Sequence, residues 1–148
     1  MNIEYKIKAA SKEEILLHLK KCNDNFIPPL DQKVNLTEYS QKLADKSITF
    51  EAWLNDQLIG LVAAYLNDLE NYVGHITSVS VIKDHNGKGI AMELLDRCIE
   101  YARGQNFKHI TLEVSEDNPG AVQLYKKFDF EPFENKNRMV RMKLDVSK

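Results

Sequence analysis

Apolar and polar residues alternate from Ile3 to Lys8, which predicts an opening strand. The period then changes to that of a helix. Ser11-x-x-Glu14 is a capping box ahead of Ile15, Leu16 and Leu19, and Asn23-Asp24-Asn25 ends the helix they define. Phe26-Ile27-Pro28-Pro29-Leu30 is excluded from a helix interior, because each proline lacks an amide donor and holds the preceding residue extended. A stiff loop is expected there. A second short helix starts at Asn35, with Glu38 three residues on and Leu36, Tyr39 and Leu43 on one face. Ile48 to Leu54 and Leu58 to Leu66 predict two strands joined as a hairpin through Asn55-Asp56-Gln57. The second is apolar nearly throughout, as suits a central strand buried on both faces.

Asn67 to Tyr72 is a polar loop whose Asp68 and Glu70 are either solvated or, if the loop overhangs a cleft, attractive to a cationic amine. His75 to Ile82 predicts a strand that runs into a glycine-bearing turn. A helix follows to Gly104, with Ala91, Leu94, Leu95, Cys98, Ile99 and Ala102 on one face and Arg103 in its last turn, where the helix dipole favours a cation. His109 to Val114 alternates as a strand. Asn118 is a good N-cap and Pro119 a good first residue for a helix running to about Phe128, with Ala121, Leu124, Tyr125 and Phe128 on one face. Phe130 to Phe133 and Arg138 to Leu144 predict two last strands around a turn near Asn135 to Asn137. Strands alternating with helices argue for an α/β or α+β sheet covered by helices.

The totals narrow the function classes. A chain of 148 residues fits one domain, 1–148, large enough to bury a core. A formal net charge of −2 gives no global field for nucleic acid or an anionic membrane. No apolar run approaches the roughly 20 residues of a spanning helix, and Met1-Asn2-Ile3-Glu4-Tyr5 has no signal-peptide character, so a cytoplasmic protein is expected. Cys22 and Cys98 fall on helical patterns and read as core residues rather than a disulfide. His18, His75, His85 and His109 show no ligand spacing, and no metal is proposed.

The chemistry concentrates at Val79-Ser80-Val81-Ile82-Lys83-Asp84-His85-Asn86-Gly87-Lys88-Gly89-Ile90-Ala91-Met92. Gly87 and Gly89 allow positive φ and a close backbone approach, and the first amides of the following helix have no intrahelical acceptors. Together with the helix dipole they form an anion site. It is not a P-loop, since Gly87-Lys88 is followed by Gly89 rather than Ser or Thr. It is not a dinucleotide fingerprint, since position 92 is Met.

The segment Asn86-Gly87-Lys88-Gly89-Ile90-Ala91 does fit the pattern Gln/Arg-x-x-Gly-x-Gly/Ala, and Asn118-Pro119-Gly120-Ala121-Val122-Gln123-Leu124-Tyr125-Lys126-Lys127-Phe128-Asp129-Phe130 follows about one helix and one strand later. On these two motifs, covering roughly 79 to 130, the chain resembles the GNAT superfamily of N-acetyltransferases. The resemblance implies a mixed, mostly antiparallel sheet of six to seven strands flanked by about four helices. It implies acetyl-CoA as co-substrate and direct acetyl transfer to a primary amine of a small molecule or protein, and a homodimer is common in such proteins. Asn86, Gly87, Lys88, Gly89, Ile90, Ala91 and Met92 would hold the pyrophosphate, with His85 near. Val79 and Val81 would pair with the pantetheine arm, and Asn118 would bond it.

Tyr125 matches the superfamily's general acid; helical spacing alone makes it a core aromatic. Phe26, Pro29 and Tyr39, with Pro28, would line the acceptor cleft, or merely cover the sheet. The position where many relatives carry a basic glutamate is Thr77, so His75 or Glu113 is the candidate base. Asn86 replaces a longer polar residue, and Asp129 stands where a glycine is usual. The competing readings are a non-catalytic acyl-CoA-binding sensor or interaction module, and a nucleotide-binding fold of another kind.

Overall fold

The computed structural model describes residues 2–147. In chain order the elements are β1 Glu4–Ile7, α1 Lys12–Cys22, α2 Leu36–Lys46, β2 Ile48–Leu54, β3 Gln57–Tyr65, β4 Val73–Val81, α3 Ile90–Gly104, β5 His109–Ser115, α4 Pro119–Lys127, β6 Glu131–Lys136 and β7 Met139–Asp145. The seven strands form one sheet in the order β1-β2-β3-β4-β5-β7-β6. Every neighbouring pair is antiparallel except β4 and β5. Both the strand number and the helix number expected from the resemblance are met.

The local signals act as read. Ser11 and Glu14 complete a reciprocal capping box on α1, and Asn35 and Asn118 accept from Glu38 and Ala121 to cap α2 and α4. The connection after β2 is tighter than expected. Asn55 and Asp56 both take positive φ, the geometry of a two-residue hairpin turn, so Gln57 already belongs to β3. Asn137 and Arg138 turn the β6–β7 hairpin in the same way. Asp129 takes φ 72, so an aspartate fills the left-handed position where the superfamily favours glycine, and the α4 exit is retained.

β3 is buried on both faces. Leu61 and Ala63 pack with Ile15, Leu19 and Leu43 of α1 and α2. Val62 and Ala64 pack on the other side with Leu94, Leu95 and Cys98 of α3, and Tyr125 and Phe130 join that cluster. Cys22 and Cys98 are both buried and unbridged. Burial pushes their thiols up to about 11 and about 12, so neither is a thiolate at neutral pH.

One buried carboxylate fastens the chain's beginning to the sheet. Glu51 of β2 is fully buried, and it accepts from the amides of Ala9 and Ala10, the Thr49 hydroxyl at 2.6 Å and the Trp53 indole at 2.9 Å. Glu51→Gln turns an amide NH2 toward these donors. A loss of about 3 kcal/mol is expected, read as a fall in Tm of roughly 10 °C by calorimetry.

Candidate active site

β4 and β5 pair only from Val73 to Ile76 and from His109 to Leu112. Beyond that point the two strands part, and β4 continues to Val81 while β5 continues to Ser115. Thr77 to Val81 therefore have no ladder partner on the β5 side. The sheet opens there into a cleft, with Tyr125 and Asn118 of α4 on one flank and the loop containing Phe26 on the other.

A cavity of about 700 Å³ takes up the end nearer the glycine turn, lined by Phe26, Val79, Val81, Asn86, Gly87 and Asn118. A smaller one of about 220 Å³ lies deeper, lined by Phe26, Thr77, Val79, Glu113, Asn118 and Tyr125 among others. Residues singled out from both sequence motifs, Asn86 and Gly87 of one and Asn118 and Tyr125 of the other, thus line this cleft.

The glycine turn holds its backbone open. Gly87 and Gly89 have φ of 79 and 76, and a Cβ at either would meet nothing within 4 Å, so their backbone faces open space. α3 starts at Gly89 with no side-chain cap, in contrast to α1, α2 and α4. Its first amides receive no side-chain cap. Lys88 is exposed and its Nζ lies 3.3 Å from His85 Nδ1. The side chains at 90–92 do different work: Ile90 is buried in the core, Ala91 is half-buried and Met92 is exposed, so any shared contribution to the anion comes from their amides.

Tyr125 is 7 % exposed and stacks edge-on against Phe130 at 6.1 Å. Burial pushes its phenol up to about 12, so the proton stays on the oxygen throughout the physiological range. It is at once the core aromatic that spacing suggests and a wall of the cleft. Asn118 likewise caps α4 and lines both cavities.

The acceptor side is arranged differently from expectation at Tyr39 and Pro29, while the 67–72 loop follows its solvated reading. Tyr39 does not itself line the small cavity. Its hydroxyl reaches the Thr77 side chain at 2.6 Å and the Thr77 carbonyl at 3.1 Å, and so braces the cavity wall from behind. Pro29 begins the single helical turn Leu30–Gln32 and does not line the cavity, whereas Pro28 lines it as expected, joined by Ile27. The 67–72 loop joins the opposite end of β4: Lys108 donates to the Tyr72 carbonyl, and Asp68 accepts from the amides of Glu70 and Asn71. Its carboxylates therefore do not overhang the cleft.

Of the two candidate bases, Glu113 is exposed and lines the small cavity. His75 stands behind it with Nδ1 3.0 Å from Thr111 Oγ1. Burial lowers its pKa, opposed by the charge of Glu113.

Two features escaped the sequence reading. Ser78 is 5 % exposed and lies at the small cavity, with the Tyr39 phenol as its hydrogen-bonding neighbour. Beneath the larger cavity, His18 of α1 donates from Nδ1 to the Leu58 carbonyl at 2.8 Å, which leaves Nε2 to accept from Ser80 at 2.9 Å. The available signal was a pair of serines at buried positions of an otherwise β-branched strand.

Burial lowers the His18 pKa to about 4, whereas in the unfolded chain it titrates near 6.5. Between those values the unfolded state binds more protons, so this contribution to stability is complete above pH 6.5 and lost as pH falls toward 4. About 3 kcal/mol is involved. His18→Gln is expected to flatten the stability profile in that window, measured by urea unfolding at a series of pH values.

Among the described residues no three His, Cys, Asp or Glu side chains are grouped to hold a metal ion, and no helix is long and apolar enough to cross a membrane.

The comparisons with known proteins agree with this geometry. An uncharacterized N-acetyltransferase of Methanocaldococcus jannaschii is 31% identical over 102 residues, covering 66% of this chain and 45% of the relative. A probable N-acetyltransferase of Drosophila melanogaster, san, is 29% identical over 122 residues, covering 81% of this chain and 65% of the relative. The chain thus spans about half to two thirds of these curated relatives. In fold it is similar to the paia N-acetyltransferase of Thermoplasma acidophilum, solved in complex with coenzyme A, with a TM-score of 0.78, 14% identity, and coverage of 98% and 99% of the two chains. Residues 13–130 match the Acetyltransferase (GNAT) family, and the chain belongs to that family.

Proposed function

We propose that this chain, working as one domain, is an N-acetyltransferase that moves an acetyl group from acetyl-CoA to a primary amine by direct attack in a ternary complex. The observation that carries this reading is the parting of β4 from β5 with the uncapped, glycine-bearing start of α3 at one end and the protonated Tyr125 phenol in the wall. The donor set suits a long anionic ligand: open amides for a pyrophosphate, then an unpaired strand edge for an extended amide-bearing arm.

Bound acetyl-CoA supplies an electrophilic carbonyl and a thiolate leaving group. The amides of Gly87 to Met92 hold its phosphates, and the free edge at Val79 and Val81 aligns its arm. An amide of that edge also stabilises negative charge developing on the carbonyl oxygen. Tyr125 donates its proton to the departing sulfur. Glu113, at the cavity wall, attracts the amine as a cation and accepts a proton from it, with His75 adjusting the field behind.

A sensor that binds acyl-CoA without turnover is the competing reading. Thr77, in place of a strand carboxylate, speaks for it, and the intact Tyr125 speaks against it. The purified chain should be incubated with acetyl-CoA and a panel of primary amines, following thiol release and product mass. Acetylated product with stoichiometric thiol is expected. Tight binding of acetyl-CoA with no product from any amine would establish the sensor instead.

A further inference from the structure

We infer that Tyr39 is a positioning residue for acetyl transfer, which from α2 fixes the backbone of β4 at Thr77, beside the reacting end of the cleft. The inference rests on the acetyl-transfer reading above. Thr77 stands at a break in both ladders of β4. On the β5 side the last pair is Ile76 with Leu112. On the β3 side Ala63 faces Ser78 and Ala64 faces Ile76, so the register slips by one residue and Thr77 is opposite neither. Among the described residues it is the bulged position of the strand, with no ladder partner on either flank.

A backbone outside both ladders is held by the side chains around it. The Tyr39 hydroxyl donates to the Thr77 carbonyl at 3.1 Å and meets Thr77 Oγ1 at 2.6 Å, and the Ser78 hydroxyl lies beside the same phenol. With the phenol proton on the carbonyl, the threonine hydroxyl donates back to the phenol oxygen. Burial pushes the phenol up to about 12, so it remains a donor at neutral pH. The Tyr39 ring packs against the cluster of Ile15, Leu19, Leu43 and Leu61, which anchors the donor in the layer formed by α1 and α2.

The position of the bulge decides which step depends on it. Thr77 lines the smaller cavity together with Tyr125 and Glu113, whereas Val79, Ser80 and Val81 are the β4 residues that line the larger one at the glycine turn. Tyr39 lines neither cavity and acts through Thr77. The brace therefore bears on the geometry of the reacting groups and not on the hold on the phosphates. A misplacement of about 1 Å at such a point costs on the order of 10²-fold in rate.

The test compares wild type, Tyr39→Phe, Thr77→Val and the double variant in steady-state kinetics, with each rate referred to the fraction of chains that binds acetyl-CoA in a calorimetric titration. Tyr39→Phe keeps the ring and removes only the hydroxyl. It is expected to lower kcat roughly 10- to 100-fold, with the KM for acetyl-CoA within about twofold of the wild type and the shape of the pH profile unchanged. The double variant should lose less than the product of the two single losses, as groups in direct contact do. Ser40→Ala is the control on the same helix, because the Ser40 hydroxyl bonds the Leu36 carbonyl at 2.8 Å within α2, and its kcat should stay within about twofold. An unchanged kcat in Tyr39→Phe, an equal fall in Ser40→Ala, or losses at Tyr39 and Thr77 that simply multiply overturns the inference while leaving acetyl transfer intact. If no amine is acetylated by the wild type, amide hydrogen exchange across residues 76–79 separates the two ideas. Exchange at least about tenfold faster in Tyr39→Phe than in Ser40→Ala supports the brace with acetyl transfer withdrawn, and equal exchange removes the brace as well.

Discussion

Tyr125→Phe is expected to lower kcat by about 10²- to 10³-fold while leaving the affinity for acetyl-CoA within a few-fold of the wild type. The phenol lines the cleft and burial holds its pKa at about 12, so only its proton is available for chemistry and only the hydroxyl is lost in the variant. The ring keeps its edge-on packing against Phe130, which preserves the α4 exit and the cavity wall. Steady-state kinetics with paired calorimetric titrations separates the two effects. A kcat within twofold of the wild type would mean that the thiolate leaves unassisted or takes its proton from water, and the acid role would be withdrawn.

Gly89→Trp is expected to weaken acetyl-CoA binding at least about 100-fold. The residue has φ 76, which costs an L side chain about 1–2 kcal/mol, and its Cβ would project into the open space that the first amides of α3 face. Nothing in the protein clashes with that Cβ, so the chain should still fold, with a Tm lower by several degrees. The indole then stands where an anion would approach. Gly89→Ala, with the same strain and little bulk, should lose far less affinity. Equal binding by wild type and Gly89→Trp would remove the anion from this turn.

Much of this was readable from residue order because the signals are local. The capping box at Ser11, the N-cap at Asn118, the change from period two to three and four, and the glycines at 87 and 89 each dictate backbone geometry within a few residues. Asp129 shows the limit of a motif read by letters, since aspartate reaches the same left-handed conformation as the glycine it replaces. The acceptor side was less legible because it is assembled from segments far apart in the chain. Tyr39 meets Thr77 across 38 residues, and His18 meets Ser80 across 62. No local pattern foretells that Lys33 and Glu113 share one cavity, or that the 67–72 loop closes the far end of β4 instead of the cleft.

The most direct measurement is a calorimetric titration of the wild-type chain with acetyl-CoA, run beside ATP as a second anionic nucleotide. One site per chain with a micromolar dissociation constant for acetyl-CoA, and none for ATP, is the predicted result. Absence of acetyl-CoA binding, or equal binding of ATP, would contradict the assignment of the cleft between β4 and β5.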